Sequence, residues 1–162
     1  MQVDSKEIKD FSPDINIDVS SIFGMKKKMK VQGFKEKSAL VPTIDENYIF
    51  DEETTTSILV GFKFNKKVLI QGLHGTGKSS HIEQVAARLN WPCLRINLDG
   101  HISRFDLLGK DSIVLKDNKQ VTTFKEGLLP WAIQNPVALV LDEYDAGRPD
   151  VMFVIQRILE VE

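Results

Sequence analysis

Gly72-Leu73-His74-Gly75-Thr76-Gly77-Lys78-Ser79 sets two glycines, with four residues between them, ahead of a lysine and a hydroxyl. Chemistry on a phosphate group suits that order. Gly72, Gly75 and Gly77 put no Cβ between the chain and an anion, so loop N–H groups and the start of a following helix can converge on one phosphate. Lys78 would then reach the outer phosphate oxygens, and the Ser79 hydroxyl would ligate an accompanying Mg²⁺, with Ser80 closing the run. A second group lies 142 − 78 = 64 residues beyond Lys78, where Val137-Ala138-Leu139-Val140-Leu141 ends in Asp142-Glu143. There Asp142 would hold Mg²⁺ through water, and Glu143 would orient and polarise an attacking water. Strand ends often carry acids, so this pair takes its meaning from the loop. The three histidines do not group as metal ligands: His74 is in the loop, His81 in the helix after it, His101 in an irregular stretch. They read as structural or surface residues.

The loop needs a strand before it and a helix after it. Val68-Leu69-Ile70 predicts a buried parallel strand, and Ile82, Val85, Ala86 and Leu89 predict an amphipathic helix that ends near Asn90, because Trp91-Pro92 disfavours continuation. Upstream, Asp51 is placed to cap a helix with Glu52 and Glu53 in its first turn and Ile58, Leu59 and Phe62 on its buried side. Tyr48 and Phe50 are either ordinary core aromatics or contacts to a base. Downstream, residues 93–98 read as a strand, and residues 112–115 and 120–124 as a hairpin around Lys116-Asp117-Asn118-Lys119. Residues 128–134 read as a short helix, residues 137–141 as a third strand, and residues 151–159 as a final helix. Between the last two, Asp145 and Arg148 lie in a Gly- and Pro-containing turn, which is either a capping device or a relay of ligand state.

Residues 1–43 differ in texture from the rest. Asp and Lys alternate with scattered apolars, and Lys26-Lys27-Lys28-Met29-Lys30 is a basic cluster, either solvated or a binding patch. The expectation is a partly flexible arm over 1–43 with a possible partner-docking element from Ile15 to Val19, then a nucleotide-binding core over 44–162. With 21 basic and 23 acidic residues in a chain of 162, no basic excess points to nucleic acid. Cys93 is the sole cysteine, which excludes an internal disulfide and suits a reducing cytoplasm. No apolar run approaches the ~20 residues of a membrane span, and the first residues do not open a signal peptide. A cytoplasmic location with no membrane partner is expected.

Ile44-Asp45 with Tyr48 and Phe50-Asp51, the loop 72–79, the run His81 to Leu94, His101-Ile102-Ser103-Arg104, Leu108-Gly109-Lys110-Asp111 and Asp142 to Glu160 together resemble the ATPase subunits of aerobic cobaltochelatases (CobS type). These are AAA+ proteins of the MoxR-like branch, and the resemblance runs from about residue 16 to the end. It implies an α/β P-loop NTPase fold, a three-layer αβα core whose sheet has the order 5-1-4-3-2. It also implies ATP and Mg²⁺ as cofactors, Lys78 and Glu143 as catalytic residues, residues 72–80 as the nucleotide contacts, and Ser79 with Asp142 at the metal. The implied partners are five further copies in a homo-hexamer, a von Willebrand-type subunit with a metal-dependent adhesion site, and a large chelatase subunit. That assembly inserts Co²⁺ into hydrogenobyrinic acid a,c-diamide during cobalamin synthesis. The segment at about 111–125 corresponds to the family's helix-2 insertion.

Measured against that pattern the chain reads as an N-terminal fragment, truncated before the last core strands, the sensor residues, the arginine finger and the helical lid. A missing trans arginine alone would cost roughly 10³ to 10⁵ in rate, so the chain by itself is expected to be inactive. Two other functions share these motifs: a MoxR-type chaperone that remodels another metalloenzyme, and a non-hydrolysing module in which nucleotide stabilises a binding surface.

Overall fold

The computed structural model describes residues 12–26, 28–116 and 118–160. The first eleven residues, Lys27 of the basic cluster, Asp117 of the expected hairpin turn and the last two residues lie outside them. Elements follow in the order β1 (Ile15–Asp18), α1 (Val19–Phe23), β2 (Lys30–Gly33), α2 (Glu52–Phe64), α3 (Lys78–Arg88), β3 (Cys93–Asn97) and α4 (Arg104–Leu108). Then come β4 (Gly109–Lys116), β5 (Lys119–Glu126), α5 (Leu128–Gln134), β6 (Ala138–Asp142), a 3-10 turn (Tyr144–Ala146) and α6 (Pro149–Glu160). Contacts divide the chain into two compact units, one spanning 1–94 with 136–140, the other 95–135 with 141–162.

The first unit is built on α2 and α3. Asp51 begins α2 as expected: its carboxylate accepts from the Thr54 N–H at 2.9 Å and the Thr54 hydroxyl at 2.7 Å. Those two hydrogen bonds, the side-chain one foremost, hold the Asp51 carboxyl below its usual range. Asn65, left-handed at φ 49°, ends the helix. Ile58 and Leu59 of α2 join Val85 and Leu89 of α3 in one buried cluster.

That cluster also takes Val19, Met25 and Val31. Residues 15–33, expected within a separate arm, thus supply part of the same core. β1 and β2 pair antiparallel with Ile17 opposite Val31, and Ile15 and Ile17 turn to the covered face while Asn16 and Asp18 face outward. Asp18 caps the one-turn α1 through the Ser20 N–H, and Gly24 ends it at φ 65°. The alternation at 15–19 is therefore that of a half-buried strand.

Val68-Leu69-Ile70 is not a strand. Ile70 packs on the core, but Val68 is 43% and Leu69 84% exposed. A parallel strand needs neighbours to accept and donate its backbone hydrogen bonds, and among the described residues no strand pairs with 68–70. β3 and β6 pair only with each other, in parallel, the Ala138 N–H donating to Pro92 O and the Leu98 N–H to Asp142 O.

The second unit holds α4, the β4–β5 hairpin, α5 and α6. A capping box starts α4, with Ser103 and Asp106 bonded reciprocally. The hairpin is longer than its sequence signal, eight residues a strand, with Ser112 opposite Thr123 and a tight turn that puts Asn118 at φ 58°. Leu98, Leu107, Leu129, Val151 and Ile155 are buried. Pro149 opens α6, as a first-turn proline should.

Leu59 is fully buried in the α2–α3 cluster, so Leu59→Ala should cost about 3 kcal/mol in urea unfolding. A loss under about 1 kcal/mol would mean that this cluster is not the core that holds the unit together.

Candidate nucleotide site

Residues 72–77 form a loop that runs into α3, whose first turn carries Lys78, Ser79 and Ser80. Gly75 and Gly77 both sit at φ 78°, a conformation that costs glycine nothing and any other residue strain. Thr76, between them, donates its hydroxyl to Leu73 O at 2.8 Å, and Lys78 Nζ donates to Gly72 O at 2.9 Å and Leu73 O at 2.8 Å. The loop is thus curled round its own lysine. Gly77 occupies the cap position of α3 with no side-chain capping bond, and the first turn carries no acid. A helix start whose first turn carries no acid suits an anion. Gly72 to Thr76 are exposed, whereas Lys78 and Ser79 are half-buried.

What fixes α3 beneath the loop is its buried face. His81, one turn in, is 7% exposed, and its Nε2 shares a 2.8 Å hydrogen bond with the fully buried Thr55 hydroxyl of α2. Tyr48 and Phe50 stand edge-on to the imidazole at centroid distances of 5.6 and 5.4 Å. Burial holds the His81 imidazole below its ordinary value, against a weaker upward pull from Asp51. Gln84 and Arg88 then strap the incoming segment to the same helix: the Asp45 N–H donates to Gln84 Oε1 at 2.9 Å, Gln84 donates to Thr43 O at 3.0 Å, and Arg88 donates to Asp45 O at 2.8 Å while lying over the Phe50 ring. Tyr48 and Phe50 are both partly buried in this packing. The Tyr48 hydroxyl also comes within 3.9 Å of where a Cβ on Gly77 would lie.

The acids belong to the second unit. Asp142 is the last residue of β6, and Glu143 follows in a left-handed conformation, φ 52° and ψ 44°, uncommon for a residue with a side chain. The Glu143 N–H donates to Asp142 Oδ1 at 3.0 Å, and its carbonyl accepts from the Ala146 N–H at 2.9 Å to close the 3-10 turn. On the other side, Arg95 of β3 donates through Nε to Asp142 Oδ2 at 2.8 Å, and its Nη2 contacts the same oxygen. Gly147 follows the turn, its N–H donating to Tyr144 O at 3.4 Å. Arg148 pairs with Asp150 at 3.2 Å beside the start of α6.

The structure therefore places Gly72, Leu73, His74, Gly75, Thr76 and Gly77 in one loop, with Lys78, Ser79 and Ser80 in the helical turn that follows, and sets Asp142 beside Glu143. Hydroxyl and carboxylate oxygens are hard donors of the kind Mg²⁺ takes. Among the described residues, no group of three or more His, Cys, Asp or Glu gathers in the manner of a metal centre, and no helix is long and apolar enough to cross a membrane. Two residues escaped the sequence reading. Thr55 is a polar residue on the buried stripe with Ile58, Leu59 and Phe62, the one signal of its bond to His81. Arg95 gave no sequence signal of its own, because its partner lies on another strand.

Residues 67–162 match the AAA domain of the dynein-related subfamily. The chain belongs to that family. It is 62% identical over 148 residues, 91% of its length, to the aerobic cobaltochelatase subunit CobS of a Sinorhizobium species, of which it covers 45%. It is 30% identical over 121 residues, 75% of the chain, to midasin of Dictyostelium discoideum, of which it covers 2%. An uncharacterized Staphylococcus haemolyticus protein, SH1500, is 25% identical over 111 residues, 68% of the chain and 42% of that protein. The chain thus spans less than half the length of each of these relatives. Its mixed α/β architecture with the parallel β3–β6 pair agrees with an AAA+ core.

Thr55→Val keeps the shape of the side chain but leaves the buried imidazole of His81 without its partner. The change should cost about 1–3 kcal/mol in chemical denaturation, and less when made on top of His81→Phe. Equal cost in both backgrounds would show that the hydrogen bond is not what joins α2 to α3.

Proposed function

We propose that this chain is the nucleotide-gripping part of the motor subunit of an aerobic cobaltochelatase. The observation that carries the reading is the 62% identity to the Sinorhizobium subunit across 91% of the chain. The curled loop with left-handed Gly75 and Gly77 is in keeping with it. Residues 72–80 cradle the phosphates of ATP, with Lys78 exchanging its two loop carbonyls for β- and γ-phosphate oxygens. Ser79 and Asp142 hold Mg²⁺, which supplies charge neutralisation for the transferring phosphoryl group. Glu143 orients and polarises the attacking water. Its left-handed backbone and the 3-10 turn behind it limit how far that carboxylate can wander.

In this reading the working unit is a hexamer that acts with a von Willebrand-type subunit and a large chelatase subunit in the cytoplasm. Co²⁺ and hydrogenobyrinic acid a,c-diamide are the substrates of the whole assembly. Residues 44–162 carry the motor core, residues 1–43 form the N-terminal segment available to partners, and the hairpin at about 111–125 is the insertion that meets a neighbour.

The test uses the complete gene product with its two partner subunits. Lys78→Ala removes a charge-assisted contact and should weaken ATP binding about 10- to 100-fold in calorimetric titration. Glu143→Gln should bind ATP normally, with hydrolysis and cobalt insertion both lost. Unchanged affinity in Lys78→Ala would refute the phosphate-loop assignment. Hydrolysis that proceeds without any cobalt insertion would assign the motor to another client.

A further inference from the structure

Arg95 lies on β3, the strand beside β6, and its guanidinium converges on one oxygen of Asp142: Nε donates to Oδ2 at 2.8 Å and Nη2 contacts the same atom. The other oxygen, Oδ1, accepts the Glu143 N–H at 3.0 Å. Both carboxylate oxygens thus have protein partners. The Asp142 side chain is only 16% exposed and that of Arg95 44%, so the carboxylate is sheltered while the guanidinium has a path to solvent. A sheltered carboxylate paired with a cation is a weaker attractor for a second cation, because the first has cancelled its charge and repels the newcomer. Arg95 is absent from the residues assigned above to nucleotide chemistry.

We propose that Arg95 is a resident counter-ion of Asp142, which magnesium must displace from Oδ2 when the nucleotide loads. It is a positioning residue acting through Asp142, and the proposal rests on the reading of Asp142 as a magnesium residue. The pairing has two consequences. Without metal, the guanidinium keeps a sheltered carboxylate from standing unpaired, a state that carries a large desolvation cost. It also keeps Asp142 oriented toward the Glu143 N–H, and so helps to hold the left-handed backbone that aims Glu143. On loading, one cation is exchanged for another, and the Arg95 head moves toward solvent, to which its side chain is already 44% exposed. Arginine suits this role better than lysine, because its planar fork places two donors on one oxygen.

The experiment measures ATP affinity of the complete gene product at a series of Mg²⁺ concentrations and with EDTA. Wild type, Arg95→Gln, Arg95→Lys, Asp142→Asn and the double variant Arg95→Gln/Asp142→Asn are compared, each checked by thermal unfolding. Removal of the competing charge should lower the half-saturating Mg²⁺ concentration at least threefold in Arg95→Gln, with affinity in EDTA unchanged. Arg95→Lys should fall in between. The shift should vanish when Asp142 is already Asn, because the guanidinium then has no carboxylate to neutralise. An unchanged or raised Mg²⁺ requirement in Arg95→Gln, or a shift that persists in the Asp142→Asn background, would overturn the proposal. Should Arg95→Gln fail to fold, Arg95→Lys carries the same test, and a Mg²⁺ requirement equal to wild type in that variant overturns the proposal. Wild-type protein that binds ATP no better with Mg²⁺ than in EDTA would instead refute the magnesium reading of Asp142, and this proposal with it.

Discussion

The left-handed backbone at Gly75 and Gly77 is the constraint on which the rest of the first unit depends. Two positive-φ residues separated by Thr76 turn the chain sharply enough for Lys78 to begin a helix while its side chain folds back over Gly72 and Leu73. A side chain at either position would add strain of order 1 kcal/mol or more and swing the N–H groups away from a common centre. Everything beneath the loop serves to keep α3 from moving: the His81–Thr55 bond, the aromatic edges of Tyr48 and Phe50, and the straps from Gln84 and Arg88. The N-terminal end of α3 is thereby fixed from below by packing, while the loop above it stays exposed.

Much of this was legible in the chain itself, because it follows from local rules. Asp51 with Thr54, the stripe of Ile58, Leu59 and Phe62, the helix that stops at Trp91-Pro92, and Pro149 at the start of α6 are each settled by residues within a turn or two. What depends on distant partners was not legible. Residues 68–70 have the composition of a buried strand but find no strand to pair with among the described residues, so composition alone does not make them one. Residues 15–33 look polar and open, yet Val19 and Val31 find their burial against helices that begin tens of residues later. Asn90, left-handed at φ 53°, binds Phe34 O and Glu36 O through its side chain, another long-range tie that no local pattern announces.

The two acids illustrate the same division. An apolar run closing in Asp142-Glu143 was readable as a strand ending in two acids, but the pattern says nothing of what holds each carboxylate. The structure answers with Arg95 across the strand pair and with a left-handed turn at Glu143. The Arg95 contact at Asp142 and the left-handed backbone at Glu143 hold both residues in place. Family membership fixes the architecture of such a site. Family membership does not name a substrate or partner, because one fold serves many functions.

The central claim is that the main chain of residues 72–80 grips a polyphosphate. Amide hydrogen exchange of the complete gene product, followed with and without magnesium ATP, tests it residue by residue. The account predicts slowed exchange concentrated on the N–H groups from Gly75 to Ser80 and the first turn of α3. Exchange at those amides that is indifferent to saturating nucleotide, or protection that appears elsewhere and spares them, would contradict it.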